Sequence, residues 1–371
     1  MNTYFDNAAT SFPKPKQVST AISNCLENIA GSYGRGSSTN NISIAQTFFD
    51  TREQLANLFN INDSSKIIFT LNATMAMNTI LFGLNLKNRH ILISPMEHNC
   101  VTRPLNYLQQ KGIINYDTLP ADTDGFIKIN EIKQLIKPNT ALVIINHESN
   151  INGVVQNLTE IKQQIKDIPL LIDASQSAGH FQIDNQILDS DFIVFTGHKA
   201  LLGPTGIGGF YIKDQNKVSS FIYGGTGSIS ESLNMPEFTP DKFEAGTPNI
   251  IGVYGLNTAL QNLPEYKNNQ DIYNFIKELK YNTDYKVYSA NDFSRQGFVI
   301  SITHPTKSIT DIHNLLQSKY NIISRIGLHC SPLAHQHINT YPTGTIRFSF
   351  SAYHRKEDIE FLLSILKKLQ D

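Results

Sequence analysis

The chain has 371 residues, with 31 Lys and Arg against 32 Asp and Glu, so it can bury a large core, most naturally as two domains. The near-zero net charge leaves no basic stripe to track a phosphate backbone and argues against nucleic acid as a partner. No apolar run reaches the ~18 residues of a membrane helix, the first residues lack a charged-then-apolar leader pattern, and three widely spaced cysteines (Cys25, Cys100, Cys330) make no disulfide framework, so a soluble cytoplasmic protein without membrane contact is expected.

In chain order, residues 1–15, with Pro13 and Pro15, read as an extended arm leading into a helix from about Lys16 to Asn28. The Gly-rich stretch from Gly31 to Ser38 follows, then a helix from about Ile44 to Phe59. Lys66–Thr70 reads as a strand. The turn after it opens a helix whose first N–H groups would favour an anion, which makes Asn72, Ala73 and Thr74 candidate phosphate ligands. Strands are expected over His90–Ser94, Ala141–Ile145, Pro169–Asp173, Phe192–Phe195 and Ile207–Ile212, with helices over Val101–Gln110 and near Leu158–Ile165. Strands alternating with helical segments of this length predict an α/β fold with a mostly parallel sheet and helices on both faces. From about Ile250 the pattern changes to helices (Ile250–Leu263, Ile272–Lys280, Ile309–Ser318, Lys356–Leu369) mixed with strands (Gly297–Thr303, Ile322–Arg325, Thr345–Phe350). The expected division is an arm over 1–15, a large domain over 16–250 and a smaller α+β domain over 251–371.

Ligands of open α/β sheets bind at the carboxyl ends of the strands, where two residues stand out. Lys199 closes the strand that carries the apolar run Phe192–Phe195 and is followed by the Gly-rich turn Gly203-Pro-Thr-Gly-Ile-Gly208. Asp173 closes the preceding strand. An amine at such a place can bind an aldehyde cofactor such as pyridoxal 5'-phosphate (PLP) as a Schiff base, and a carboxylate opposite the pyridine nitrogen keeps it protonated. The alternatives are a lysine that snorkels to solvent and an aspartate that caps a helix. The acid and the amine on successive strand ends favour the cofactor.

Four segments in this order carry a resemblance: Asp173-Ala-Ser-Gln176, Thr196-Gly-His-Lys199 with Gly203–Gly208, Phe243-Glu-Ala-Gly-Thr-Pro-Asn249, and Arg325-Ile-Gly-Leu-His-Cys330. With Tyr4-Phe-Asp-Asn-Ala-Ala and Gly344-Thr-Ile-Arg-Phe-Ser they make nearly the whole chain similar to class V, fold-type I PLP enzymes, and within them to the cysteine desulfurase and selenocysteine lyase group. The resemblance implies that Lys199 carries PLP, Asp173 faces the pyridine nitrogen, Gln176 meets the ring hydroxyl and His98 stacks on the ring. Asn150 would lie beside ring and substrate carboxylate, while Thr74, Thr196 and His198 would hold the phosphate. Arg347, with Arg325 nearby, would bind the substrate carboxylate, a task suited to a planar guanidinium. Gly225 and Thr247 would complete the phosphate site of the partner in a homodimer.

The reaction implied is conversion of L-cysteine, or L-selenocysteine, to L-alanine, with Lys199 moving the Cα proton and Cys330 taking the sulfur as a persulfide for a protein or small-thiol acceptor. His329 or Arg325 could raise the thiolate fraction of Cys330. Leu328 and Ser331 stand where the group usually has His and Ala, and Ala73 where a hydroxyl residue often assists the phosphate. His98 and His198 read equally well as structural histidines, and Arg347 as an ion-pair partner. Cys330 could be an inert thiol; with His335 and His337 it lacks the fourth ligand of a metal site, so no metal is expected. Cys25 and Cys100 read as structural. A class V aminotransferase, which needs no thiol, and a catalytically silent binding protein are the competing functions.

Overall fold

The structure is a computed structural model that describes residues 1–34 and 38–370. Arg35, Gly36 and Ser37 of the expected Gly-rich loop lie outside the described residues. In chain order the strands are β1 (Ile67–Thr70), β2 (Arg89–Ile93), β3 (Ile114–Thr118), β4 (Thr140–Asn146), β5 (Leu170–Asp173), β6 (Phe192–Thr196), β7 (Gly208–Ile212), β8 (Lys286–Tyr288), β9 (Val299–Thr303), β10 (Arg325–Gly327) and β11 (Thr345–Ser349). The helices are α1 (Lys16–Asn28), α2 (Thr39–Phe59), α3 (Ala73–Gly83), α4 (Asn99–Gln110), α5 (Ile132–Leu135), α6 (Leu158–Ile165), α7 (Asn185–Leu188), α8 (Ile250–Gln261), α9 (Asn269–Asn282), α10 (Ile309–Tyr320), α11 (Pro332–His337) and α12 (Lys356–Leu369).

Seven strands form one sheet in the order β1-β7-β6-β5-β4-β2-β3, with β7 antiparallel to both neighbours and the other pairs parallel. The strands β5 and β6 are buried along their length, as the uninterrupted runs Leu170–Ile172 and Phe192–Phe195 require. Period-2 alternation divides their side chains between two cores. Leu170, Ile172, Ile193 and Phe195 face the side covered by α2, α6 and α8; Leu171, Phe192 and Val194 face α3 and α4. Each such side chain contributes roughly 1.5–3 kcal/mol by leaving water.

A second, antiparallel sheet has the order β10-β11-β9-β8 and packs under α9, α10 and α12. The N-terminal arm joins it: Phe5 is buried among Phe275, Phe348 and Phe350, its N–H donates to Ile323 O, and Ser349 N–H donates to Phe5 O. The helix α8 packs with α1 and α2 against the large sheet, and its Val253 and Leu256 belong to that core.

Local details differ from the sequence expectation. The half-exposed edge strand β3 and the three-residue edge strand β8 were not expected; edge strands carry polar residues and give weak period-2 signals. A strand was expected over Ile322–Arg325, whereas β10 spans Arg325–Gly327, because Ile323 pairs with Tyr4 of the arm instead of the sheet. The segment after Cys330, for which no helix was expected, forms α11 from Pro332, a proline in the first helical turn where its missing N–H costs nothing.

Candidate active site

Because β4, β5 and β6 run parallel, their carboxyl ends lie side by side; Asn146 pairs with Asp173, and Asp173 with Val194. The strand β1, antiparallel to β7, delivers the start of α3 to the same edge. The loop residues Gly197 and Gly203 let the chain turn tightly here: a Cβ on Gly203 would sit 3.0 Å from Gly197 O. These ends enclose a cavity of about 220 Å³ lined by Ala73, Thr74, His98, Asn150, Asp173, Gln176, Thr196, His198, Lys199, Arg325, Cys330 and Arg347. All the single-chain residues expected from the sequence thus meet in one place. Gly225 and Thr247 do not line it. They sit together on the surface, joined by the Gly246 N–H to Gly225 O bond of 2.8 Å, along a separate cleft with Tyr33 and Asp241.

On the cavity floor, Asp173 Oδ1 accepts from Ser175 N (2.9 Å) and Ser175 Oγ (2.5 Å), while Oδ2 accepts from Cys100 Sγ at 3.6 Å. Burial, and after it the negative charge of Asp173, pushes the Cys100 thiol well above its usual value, so it stays a donor. Glu97 is fully buried beside them; burial and then Asp173 raise it well above the carboxylate range, so it is held as a neutral acid whose Oε1 accepts from Asn146 N at 2.7 Å. Lys199 is lowered from 10.5, first by burial; Asp173 opposes this and Arg347 reinforces it. A larger share of its amine is therefore uncharged and nucleophilic than in an exposed lysine.

His98 is the N-cap of α4, and its Nδ1 accepts from Cys100 N at 3.0 Å, which leaves Nε2 to carry the hydrogen of a neutral ring. Burial, followed by Lys199, lowers it to about 4. His198 is likewise lowered to about 4, chiefly by burial. Gln176 Nε2 donates to Ala8 O at 3.0 Å.

Arg347 is 2% exposed. Its Nη2 donates to Asp6 at 2.7 Å and its Nη1 to Asn150 O at 3.1 Å, while its buried Nε has no partner among the described residues. Asp6, which holds the arginine in place, went unassigned from the sequence because it lies 341 residues away. Arg325 is opposite Arg347 in the β10–β11 register and lies exposed at the mouth of the cavity.

Cys330 is exposed at the same mouth. His329 and Cys330 both have left-handed backbone (φ 46° and 59°), a conformation that costs non-glycine residues roughly 1–3 kcal/mol each. His329 Nε2 meets the Thr345 carbonyl at 3.2 Å, and burial, then Arg347, keeps the ring well below its usual value. The ring is neutral, so Arg325 and Arg347 supply the positive charge near the thiol, and His329 does not. The other histidines next to Cys330 are bound elsewhere, His335 Nδ1 with Thr340 Oγ1 at 2.6 Å and His337 Nε2 with Asp122 O at 2.7 Å. Among the described residues no group of three or more His, Cys, Asp or Glu is placed to hold a metal ion, and no helix is long and apolar enough to cross a membrane.

A family model described as aminotransferase class-V matches residues 3–362, and the chain belongs to that family. Its relatives there are cysteine desulfurases. The chain is 31% identical to a probable cysteine desulfurase of Borreliella burgdorferi, over 99% of this chain and 91% of that one. It is 28% identical to cysteine desulfurase CsdA of Escherichia coli, over 98% and 93%. Among solved structures it resembles an apo cysteine desulfurase of Thermococcus onnurineus, with a TM-score of 0.91, 26% identity and coverage of 99% and 94%. The S-sulfonic acid form of E. coli CsdA matches with a TM-score of 0.87 at 25% identity, over 99% and 94%.

Proposed function

We propose that the chain is a PLP-dependent cysteine desulfurase that converts L-cysteine to L-alanine and leaves the sulfur on Cys330. The observation that carries the reading is the placement of an exposed thiol, Cys330, on the same cavity as the half-buried amine Lys199 and the carboxylate Asp173. A class V aminotransferase would need no thiol there, and a silent binding protein would need neither amine nor acid. PLP suits the cavity because polar atoms there lack protein partners among the described residues: Thr196 Oγ1, His198 Nδ1 and Asn146 Oδ1. Lys199 would bind its aldehyde and Asp173 its pyridine nitrogen. Thr196, His198, Thr74 and the first turn of α3 at Ala73 would hold the phosphate, Gln176 the ring hydroxyl, and the neutral His98 the ring face.

The bound cofactor would supply an electron sink for the carbanion at the substrate Cα. Arg347, braced by Asp6, anchors the α-carboxylate through its free donors, with Asn150 and Arg325 beside it. Lys199 Nζ would take the Cα proton and return it to Cα at the end, while the carbon that becomes the alanine methyl takes a second proton, balanced by the one that the Cys330 thiol gives up on forming its thiolate. The thiolate of Cys330 attacks the substrate sulfur; an S–S bond forms, the C–S bond breaks, and the persulfide awaits a thiol acceptor. With a reductant, L-cysteine should yield alanine and sulfide in equal amounts; without one, alanine should stop after about one equivalent per Cys330. Keto-acid formation in place of alanine would overturn the reading. Selenocysteine offers the same geometry with a better leaving chalcogen.

A homodimer is part of this proposal. The Arg52–Glu244 ion pair, with both Glu244 oxygens on Nη2 at 2.5 and 2.6 Å and Phe69 N on Oε1 at 2.7 Å, fixes the segment that carries Thr247. Gly225 and Thr247, exposed and remote from their own cavity, would then contact the phosphate of the neighbouring subunit. Mixing inactive Lys199→Ala with inactive Thr247→Trp chains should restore part of the activity through one intact hybrid site; no recovery would sink the shared-site proposal.

A further inference from the structure

Cys330 sits between two residues that are both tied to the same side chain. Asn150 Nδ2 donates to His329 O at 3.0 Å, and Asn150 Oδ1 accepts from Ser331 Oγ at 2.9 Å. The orientation of the amide follows from its partners, since a carbonyl can only accept. A third bond, Asn99 N–H to Cys330 O at 2.8 Å, seats the cysteine on the start of α4. Ser331 occupies the N-cap position of α11, where a serine hydroxyl ordinarily accepts from a helix N–H, yet it makes no cap bond and is fully buried. Its hydroxyl is committed to Asn150 instead.

Asn150 is also tied to the carboxylate-binding arginine, because its own carbonyl accepts from Arg347 Nη1 at 3.1 Å. Both ends of the Asn150 amide are thus engaged by the Cys330 loop, while the second hydrogen of its Nδ2 is uncommitted among the described residues, so a carboxylate beside Arg347 would draw the amide group toward itself and away from His329 O. The loop held this way contains two consecutive left-handed non-glycine residues, a conformation that needs external restraint. We propose that Ser331 is a positioning residue: with Asn150 and His329 it forms a latch that holds the Cys330 loop while the site lacks an amino acid, and the substrate carboxylate loosens the latch by drawing the Asn150 amide away from His329 O. The latch itself stands on the hydrogen bonds; the identity of the ligand that opens it rests on the desulfurase reading.

The test is the rate at which iodoacetamide alkylates Cys330 in the cofactor-loaded enzyme, followed by peptide-resolved mass spectrometry, with the buried Cys25 and Cys100 as internal references. L-alanine serves as a carboxylate-bearing ligand that cannot form a persulfide, and its binding is read from the cofactor absorbance. Without ligand, Ser331→Ala should react roughly 2- to 10-fold faster than the wild type, as expected for loss of one net hydrogen bond, and Ser331→Thr, which keeps the hydroxyl, should stay near the wild-type rate. Alanine should accelerate the wild type and add little to Ser331→Ala. Equal ligand-free rates for wild type and Ser331→Ala would overturn the latch. A faster Ser331→Ala that keeps the full alanine response would overturn it too, by showing general loosening. A faster Ser331→Ala combined with no absorbance change on adding alanine would support the latch and overturn the desulfurase reading.

Discussion

Lys199→Ala is expected to lower L-cysteine turnover by about 10³-fold or more, because in the proposed mechanism one substitution removes both the covalent anchor of the cofactor and the base that moves the Cα proton. The direct readout is chemical. Wild-type protein treated with borohydride should gain the cofactor mass on the peptide that contains Lys199, and the variant should gain none. A reducible link that persists in Lys199→Ala would refute the assignment. The expected pH dependence follows from the environment of the amine. Burial lowers Lys199 from 10.5 while Asp173 acts to raise it, so capture of PLP by the cofactor-free chain should climb with pH and level off below 10.5. Asp173→Asn should move that plateau lower still.

The same shift keeps a folding defect from being mistaken for a chemical one. A lysine whose proton affinity is lower folded than unfolded contributes unfavourably to folding at any pH below its unfolded value, so at neutral pH it reduces stability. The cofactor-free Lys199→Ala chain should therefore melt no lower than the cofactor-free wild type.

How much of this was legible in the sequence depends on how local each signal is. Lys199 and Asp173 were readable because an apolar run ending on a charged residue marks a strand end in a parallel sheet, and strand ends are where such sheets bind ligands. The edge strand β3 was not, because Ile114-Asn-Tyr-Asp-Thr118 is half polar and borrows its conformation from β2. Arg347 was identified as a residue, but the asparagine and aspartate that orient it come from distant parts of the chain, and no spacing rule links them. His329, next to Cys330 in sequence, was expected as an activator of the thiol. The fold buries it against Thr345 and keeps it neutral, since removing an imidazolium from water is more costly than leaving the ring uncharged. Cys100, read as structural, is a buried donor to Asp173 on the cavity floor, a contact across 73 residues that no spacing rule announces.

Cys330→Ser is the substitution that separates the two halves of the reaction. Cofactor capture is proposed to depend on Lys199, Asp173 and the phosphate-holding groups, and the Cys330 thiol makes no hydrogen bond to any of them among the described residues, so the variant should keep the wild-type absorbance and still change colour on binding L-cysteine. Sulfide release should fall by about 10²-fold or more, because a hydroxyl at this position is protonated at neutral pH and is a poor nucleophile toward sulfur. The structure bounds the alternatives for a replacement thiol. Cys100 is buried, pushed toward the protonated form and engaged with Asp173, and Cys25 is buried on α1, outside the cavity lining. Neither should accept sulfur in place of Cys330. The measurement is a trap for persulfide with an alkylating probe after a single turnover: the wild type should carry one extra sulfur on the Cys330 peptide, and Cys330→Ser should carry none on any peptide. Undiminished sulfide production by Cys330→Ser, or an extra sulfur found on Cys100, would show that sulfur leaves by a route other than the exposed thiol at the mouth of the cavity.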